Sequence, residues 1–485
     1  MQPVFLLTDL FIFVCLLGSV FYTWRIRRDR HLLANWRLAL RRPVAMASGL
    51  VLLFFVIIAL LDSIHYRPRL ESLPGQPTRY ASEAVSALDT VLAPLSKARE
   101  RSYSAPLSAN GFRKETVERD GQKMRDYPRL KFGGAHLHEP TQELTRDVAL
   151  RSLQAFGLAL CLIAVLVVTG LGWASRQSQQ PLARVWHRLR KGQTYWPWRT
   201  ICLTLACLMV VLTWVLVLSQ NYHVFGTDRT GNSVLVFALK SVRTALVIGS
   251  LTTLVVLPLA LLLGVLAGYL RGWVDEVIQY CYTLLASIPD VLLIAASVLM
   301  LQVFIDQNQG FWGTALERSD ARLFFLCMIL GVTSFTGLCR LVRGETLKLR
   351  ELEYIQSARA MGVSTHRILQ RHILPNLMHL VLINTVMQFS GFVMAEAVLS
   401  YVGVGVDPKT ASFGVMINTA RAELAATPIV WWTLSTAFAF MFFIVLSANL
   451  LADAVRDAFD PRTRLHGNTP ASAFSTPTPL SAEVA

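Results

Sequence analysis

The sequence predicts an all-α polytopic membrane protein with about nine transmembrane helices. Of its 485 residues, 53% are hydrophobic and only 16% are charged, against roughly 25% charged residues in an ordinary soluble domain. In addition, apolar stretches near the roughly 20 residues needed to cross a bilayer core recur along the chain. They begin close to Val4, Val44, Ser152, Ile201, Ala245, Val277, Leu323, Leu380 and Val430.

The first apolar run is predicted to be a retained helix that enters with its N-terminus outside. Its basic residues follow the apolar stretch, beginning at Arg25, whereas a secretory signal carries them in front. The short Arg-rich segments 25–42 and 176–199 both fall inside with this orientation, as the retention of Lys and Arg in the cytoplasm requires. Nine crossings then place the C-terminus in the cytoplasm. Asp9 and Arg151 lie near the ends of spans, so water at the membrane interface is expected to be enough to solvate their charges.

The net charge of +15 is compatible with an anionic partner such as nucleic acid or anionic lipid. We favour topology as its cause, because the inside loops of polytopic proteins are basic for that reason alone, and we expect no nucleic acid partner. All the cysteines lie in apolar runs, so neither a disulfide framework nor a Cys-based metal site is expected. They are Cys15, Cys161, Cys202, Cys207, Cys281, Cys327 and Cys339.

The chain divides into successive regions by composition. The first region has two N-terminal helices around an Arg-rich cytoplasmic loop, and an extracytoplasmic insert follows it. A third helix with a basic cytoplasmic linker leads to a six-helix block, and a Pro, Thr and Ser-rich tail is predicted to be disordered. The insert is equally compatible with a small folded module and with a solvated linker. The boundaries are 1–61, 62–147, 148–200, 201–460 and 461–485.

A polar, basic stretch at 351–376 interrupts the apolar runs of the six-helix block. Helix formers precede Gly362, which suits a left-handed turn, and Ser364 or Thr365 can cap a second short helix. Pro375 is predicted to limit that second helix. The product is two short helices joined by a bend at the membrane face, which is suited to transmitting movement from a water-soluble partner.

This stretch resembles the cytoplasmic coupling loop of bacterial ABC importer permeases. The family pattern reads Glu-Ala-Ala, three residues, Gly, nine residues, Ile-x-Leu-Pro. Gln356, Ser357 and Ala358 stand at the triplet, Gly362 at the glycine, and Leu374 with Pro375 at the end. Three positions depart from the pattern: Gln and Ser replace Glu and the first Ala, and His372 stands where Ile is expected.

Further segments resemble the second permease subunit of the dipeptide and oligopeptide type, in order and spacing. The resemblance covers most of 221–462, about half the chain, and extends weakly to 35–61. Either the second or the fourth span takes the place of the family's opening helix, and we prefer the fourth because it leads directly into "FGTDRTGNSVL". The other matching segments are "GVLAGYLRGWVDEV", "VRGETLKLRELEYIQSARAMG", "AEAVLSYVGVGVDPKTASFGVMI" and "LLADAVRDAFDPR".

The resemblance implies a transmembrane subunit of an ATP-driven importer for di- or oligopeptides in the bacterial inner membrane. It implies a second permease subunit, two cytoplasmic ATPase subunits that bind ATP and Mg, and an extracytoplasmic solute-binding protein, all surrounded by membrane lipid. The chain lacks the G-x-x-x-x-G-K-[ST] phosphate cradle, so no catalytic residue and no cofactor are expected in it. The ATPase-docking residues implied are Gln356, Ser357, Ala358, Ala360, Gly362, Leu374 and Pro375.

Two acidic residues are candidates for the substrate pathway. Asp290 follows a proline inside an apolar run, where it could meet a peptide's ammonium group or pair with a neighbouring subunit. Glu396 lies near an outer helix end, where snorkelling to water is the favoured interpretation. His372 is expected to be a surface residue, since no other metal-ligating residue stands beside it at metal spacing.

Alternatives remain at this point. Nickel and peptide-antibiotic importers share the same motifs. A proton-coupled secondary transporter would use Asp290 or Glu396 as a relay, although it has no use for a docking loop. A membrane-anchored sensor would explain the departures at Gln356, Ser357 and His372, but the retained glycine and Leu-Pro pair argue against it.

Overall fold

A computed structural model describes residues 2–28, 30–69, 80–81, 84–119, 122–192 and 194–459. The tail 461–485, predicted from its composition to be disordered, lies outside the described residues.

Within the described residues, the N-terminal part of the chain contains all five strands and seven helices. In chain order they are β1 (Gln2–Val4), α1 (Leu7–Arg28), α2 (Arg30–Arg41), α3 (Pro43–Asp62), β2 (His65–Arg67), β3 (Val85–Ser86), α4 (Ala87–Val91), α5 (Ala93–Lys97), β4 (Glu115–Arg119), β5 (Gln122–Asp126), α6 (Pro140–Ser178) and α7 (Leu182–Lys191). Strands β1, β2 and β3 form an antiparallel sheet in that order, and β4 pairs with β5 in a hairpin.

The rest of the described chain is helical. It comprises α8 (Trp198–Ser219), α9 (Val234–Leu270), α10 (Trp273–Ser287), α11 (Asp290–Gln307), a 3₁₀ turn (Gln309–Phe311), α12 (Ala315–Arg350), α13 (Glu353–Ala360), α14 (Thr365–Ile368), a π-helical turn (Leu369–Ile373), α15 (Leu374–Val402), α16 (Phe413–Leu424) and α17 (Trp432–Phe459).

Nine helices within the described ranges are long and apolar enough to cross a membrane, which confirms the predicted all-α polytopic class. They are α1, α3, α6, α8, α9, α11, α12, α15 and α17. The apolar run near Val277 is divided into α10 and α11, because Pro289 lacks an N–H and stands at the N-cap of α11. The two helices together make one crossing.

Helices α9 and α12 lie parallel at the centre of the bundle. Near their beginnings, Arg243 of α9 lies 3.6 Å from Asp320 of α12. At their ends, Arg350 donates a 2.7 Å hydrogen bond to the carbonyl of Tyr269. Gly264 lets the two backbones approach, since a Cβ there would lie 2.8 Å from the carbonyl oxygen of Cys339. These two helices therefore connect the two faces of the bundle directly.

The described part of the insert lies on one face of this bundle, which we call the insert face, and residues 351–376 lie on the opposite one, the loop face. The same helix α9 joins them, because its first turns contact Ser63 and Thr8 through Arg243 and its last turn contacts Arg350. We call residues 351–376 the coupling stretch. The insert and the coupling stretch thus lie on opposite sides of the membrane that the bundle crosses.

The described part of the insert is a folded module packed on the bundle, not a solvated linker. Its Leu137 and Ala109 share a small apolar cluster with Leu218 and Tyr222 at the end of α8. The contact with the segment after α8 is close, since a Cβ on Gly231 would come 2.0 Å from the carbonyl oxygen of Glu100. This glycine also has φ +78°, so both the lack of space for a Cβ and the left-handed backbone conformation require glycine at this position.

Helix α3 packs against α9 and α17, in the middle of the helices that follow the insert, whereas α8 packs mainly on α6 and on one side of α3. Helices α2 and α7 are short, basic and amphipathic, and they join neighbouring spans at the loop face. The guanidinium of Arg41 lies 3.6 Å from the centre of the Tyr195 ring, which brings the two connections together.

Candidate functional site

The candidate site is the coupling stretch at the loop face, and its first part follows the sequence expectation. Helix α13 begins after Leu352 and ends at Ala360. Gly362 has φ +76°, the left-handed conformation predicted for it, with open space where a Cβ would stand. The bend there is closed by the N–H of Val363, which donates to the carbonyl of Ala358 at 3.1 Å.

The second part differs from the expectation. Ser364 does stand at the N-cap of α14, but its side chain accepts no capping hydrogen bond. The helix that it begins does not stop at Pro375: it continues through the π-helical turn into α15, and Pro375 lies in the first turn of α15. Pro375 interrupts one N–H···O bond of this continuous helix, and the wider π-helical turn directly before it is where that interruption is accommodated. The stretch is therefore one short helix, a glycine bend and a continuous entry into a span.

The coupling stretch is anchored in the central core. Ile355, Ile368 and Ile373 are almost fully buried in the same apolar cluster as Val342 of α12. On the outside, Asn376 Nδ2 donates a 3.0 Å hydrogen bond to the hydroxyl of Tyr354, which joins α13 to the beginning of α15. Packed side chains therefore connect α13 directly to α12 and α15.

The predicted docking residues fall into two groups. Ala358 is buried and faces the core, so it holds α13 in place instead of offering itself to a partner. His372, which is not one of the docking residues and was predicted to lie on the surface, is half-buried beside the Tyr354 ring, with ring centres 6.1 Å apart. The exposed group contains Gln356, Ser357, Ala360, Gly362, Leu374 and Pro375.

Two exposed polar side chains of α13 are turned back onto the backbone of α13 or of the residues directly before it. Ser357 Oγ donates to the carbonyl of Glu353 at 2.8 Å, and Gln356 Nε2 donates to the carbonyl of Glu351 at 3.1 Å. This leaves a small-residue surface on α13 that an approaching protein can contact closely.

The two acidic pathway candidates are in different environments. Asp290 is exposed at the first position of α11, at the break in the α10–α11 crossing, where a helix N-terminus favours a negative charge. Glu396 is buried instead of snorkelling, with 2% of its surface exposed. It accepts a 2.7 Å hydrogen bond from Ser400 and lies beside the N–H of Gly414, so it ties α15 to the beginning of α16.

Asp9 was expected to need only interfacial water, and that expectation is wrong. It is fully buried, with its carboxylate against Arg243 and 2.8 Å from His65 Nδ1. Thr8 beside it donates to the Asp320 carboxylate of α12. No spacing rule connects residues so far apart in sequence, so only the fold reveals this buried ionic cluster.

The comparisons with known proteins agree with the fold and the coupling stretch. Residues 260–465 match the family described as the binding-protein-dependent transport system inner membrane component. That range contains α10 to α17 and the whole coupling stretch.

Individual relatives cover about half of this chain. An oligopeptide transport system permease protein of Mycobacterium bovis is 30% identical over 242 residues, which is 50% of this chain and 77% of that protein. A glutathione transport system permease protein of Pectobacterium atrosepticum is 33% identical over 245 residues, 50% of this chain and 74% of that protein. A dipeptide transport system permease protein of Bacillus subtilis is 28% identical over 242 residues, 50% of this chain and 69% of that protein.

The fold and these relatives define a multi-pass membrane permease of an ABC transport system. The chain belongs to the binding-protein-dependent transport system inner membrane component family.

Proposed function

We propose that this chain is a permease subunit of an ATP-driven importer for di- or oligopeptides, located in a bacterial inner membrane. The coupling stretch carries the proposal, because it presents an exposed short helix, with the small residues Ser357 and Ala360 on its surface, whose buried side packs against α12 and α15. A rigid rod of this kind suits a partner that pushes on the spans. The names of the relatives, oligopeptide, dipeptide and glutathione permease, support peptides as the substrate class.

ATP hydrolysis then belongs to separate subunits, with ATP and Mg bound by them and not by this chain. The docking surface proposed for those subunits is the exposed group of the coupling stretch, with Ser357, Ala360 and Gly362 at its centre. Ala358 contributes through the orientation of α13 and not by contact.

A second permease subunit would complete the translocation pathway. The broken crossing α10–α11 supports this proposal, because it exposes large apolar side chains such as Tyr280 and Met300 on the same element as the carboxylate of Asp290. A carboxylate at a helix break within a crossing is costly against lipid, so it fits a facing subunit or the aqueous pathway. An extracytoplasmic solute-binding protein would deliver substrate at the insert face.

We further propose that α3, and not α8, takes the place of the family's opening helix, against the preference drawn from sequence order. The support is the position of α3 between α9 and α17, whereas α8 lies with α6 at the side. The insert, α6 and α8 then interrupt the permease core between its first helix and α9.

Reconstitution tests the proposed function. The chain is purified with its co-purifying partners, reconstituted into sealed lipid vesicles, and assayed for ATPase activity and peptide uptake with the solute-binding protein and a mixture of di- to pentapeptides. We expect peptides to stimulate ATP hydrolysis and Ni²⁺ to leave it unchanged. Stimulation of ATP hydrolysis by Ni²⁺ alone would show that the substrate is nickel and not a peptide. Peptide uptake driven by a proton gradient without ATP would show that transport is proton-coupled and not ATP-driven.

A further inference from the structure

The insert face contains a cavity of about 780 Å³, which we call the Glu423 cavity. It lies between the insert, which contributes Tyr103 and Arg113, the first turn of α9, and α16 with the beginning of α17, which contribute Glu423 and Thr433. Its volume lies within the range of small-ligand sites, roughly 300–1,000 Å³. Because the insert forms one wall, this cavity is built by a part of the chain that precedes the family match.

Glu423 is the central group of this cavity. The residue is 5% exposed, and among the described residues its Oε2 makes no close hydrogen bond, although the Thr433 and Tyr103 hydroxyls lie near the carboxyl group. Burial raises the pKa of the Glu423 carboxyl. The neighbouring hydroxyls and the charge of Arg113 do not offset the cost of burying this carboxylate, so a bound cation would stabilise its ionised form.

The oxygens around Glu423 match a primary ammonium group. Thr433 Oγ1 is also buried, and the hydroxyls of Thr433 and Tyr103 both lie beside the Glu423 carboxyl group. An ammonium group has three N–H donors, and each of these three side chains offers at least one acceptor oxygen. A ligand group with fewer N–H donors would leave at least one of these side-chain oxygens without a hydrogen bond from the ligand.

The other polar residues of the cavity suit a carboxylate. Arg113 Nε is buried without a hydrogen-bond partner, and its guanidinium carbon lies 4.7 Å from the centre of the Tyr103 ring. Arg229 and Lys409 line the same cavity and are exposed. Asp228 also lines it, but its carboxylate already accepts hydrogen bonds from Thr230 and Asn232. The side chains of this cavity that can still donate hydrogen bonds to a ligand are therefore those of basic residues.

Apolar side chains complete the lining, among them Phe237 and Met416. A short peptide with a free N-terminus has an ammonium group, a carboxylate and side chains of variable polarity. We propose that the Glu423 cavity binds a short zwitterionic peptide, with the peptide ammonium at Glu423, Tyr103 and Thr433 and the peptide carboxylate at Arg113. The inference rests on the proposed peptide substrate class and adds a holding site on the side where substrate would be delivered.

Direct binding tests the inference. The full chain with its co-purifying partners, in nanodiscs and without the solute-binding protein, is titrated with trialanine by calorimetry. We expect Glu423→Gln to weaken binding at least tenfold, and N-acetyl-trialanine, which lacks the ammonium group, to bind the unmutated chain equally weakly. Thr433→Val should weaken binding several-fold. Thr419→Val is the matched control, because Thr419 lines the same cavity but donates to the carbonyl of Met416 in its own helix.

Equal affinity for trialanine and its acetylated form would overturn the inference, as would unchanged binding in Glu423→Gln. If Glu423→Gln does not reach the membrane, the acetylated peptide and Thr433→Val decide on their own. An absence of trialanine binding together with weaker docking of the solute-binding protein in Glu423→Gln would assign the cavity to a lysine of that protein instead. ATP-driven peptide uptake with an unchanged KM in Glu423→Gln would leave the proposed function standing and remove only this site.

Discussion

Arg243 of α9 and Asp9 of α1 form a buried ion pair, with 2.5 Å between Nη2 and Oδ1. Asp320 of α12 lies 3.6 Å from the same guanidinium, and Asp62 of α3 interacts with it electrostatically. One cation thus serves several carboxylates that come from α1, α3 and α12. The N-terminal helix is held to the permease core by charge as well as by packing.

The first prediction concerns this ion pair. Arg243→Met should destabilise the folded bundle by roughly 3–5 kcal/mol, because it removes one partner and leaves the carboxylates buried without their cation. The expected result is a lower thermal midpoint in detergent and less protein in the membrane. Arg42→Met is the matched control, since its pair with Asp457 is exposed and pairs of that kind contribute about 0–1 kcal/mol. Equal losses in the two variants would contradict a special role for the buried cluster.

The second prediction concerns Glu100, which fixes the insert. Its carboxylate accepts hydrogen bonds from the N–H groups of Lys131, Phe132 and Gly133 at 2.8–3.1 Å and lies 3.6 Å from His223 Nε2. Burial alone would raise the pKa of Glu100, but the His223 contact and these donors outweigh it and lower the pKa to about 2.

A carboxyl with a lowered pKa in the folded state stabilises the fold above its unfolded pKa, about 4.3 for glutamate, and loses that effect as the pH falls towards 2. We therefore expect Glu100→Gln to increase amide hydrogen exchange at 131–133 by a constant factor between pH 6 and pH 8. The difference from the unmutated chain should shrink below about pH 4. A difference that grows on acidification would show that the carboxylate does not act through its charge.

The third prediction concerns Gly362. A Cβ in its left-handed conformation costs roughly 1–2 kcal/mol, so Gly362→Val should misalign α13 with the entry into α15. Open space surrounds the position, and the change should leave membrane insertion normal. Co-purification of the ATPase subunits, or peptide stimulation of ATP hydrolysis, should fall several-fold.

Gly192 provides the control for that change. It has φ +68°, open space around it and a place in a connection at the loop face, but it lies outside the coupling stretch. Gly192→Val should carry the same backbone strain without loss of the ATPase. Should Gly362→Val transport normally while Asp290→Asn abolishes uptake, a proton-coupled mechanism would be favoured.

The fourth prediction concerns topology, with the N-terminus and the insert outside and 351–376 in the cytoplasm. Ser86, an obvious reporter from sequence, is buried and donates to Asp62, so a cysteine there would label poorly from either side. Ser96 is exposed and suitable. In a background without native cysteines, Ser96→Cys should react with an impermeant thiol reagent in spheroplasts and Ser364→Cys only after lysis. The reverse labelling pattern would show that the chain has the opposite orientation in the membrane.

The sequence by itself determined the features that depend on local composition. Long apolar runs specify spanning helices because backbone polar groups must be satisfied inside the bilayer, and a glycine between two helical stretches specifies a left-handed bend. The number of spans and the conformation of Gly362 were therefore predictable. The continuation of the helix through Pro375 was not, because a π-helical turn before a proline depends on how Ile368 and Ile373 pack into the core.

Tertiary structure alone decided which distant residues meet. Asp9 and Arg243 are separated by 234 positions, and nothing in their spacing pairs them. The insert could have been a linker on composition, but Glu100 collects three backbone donors and Gly231 brings the segment after α8 against it. The Glu423 cavity likewise exists only because the insert closes over α16. Local propensity depends on neighbours in the chain, whereas burial and charge pairing depend on neighbours in space, which the order of the residues does not specify.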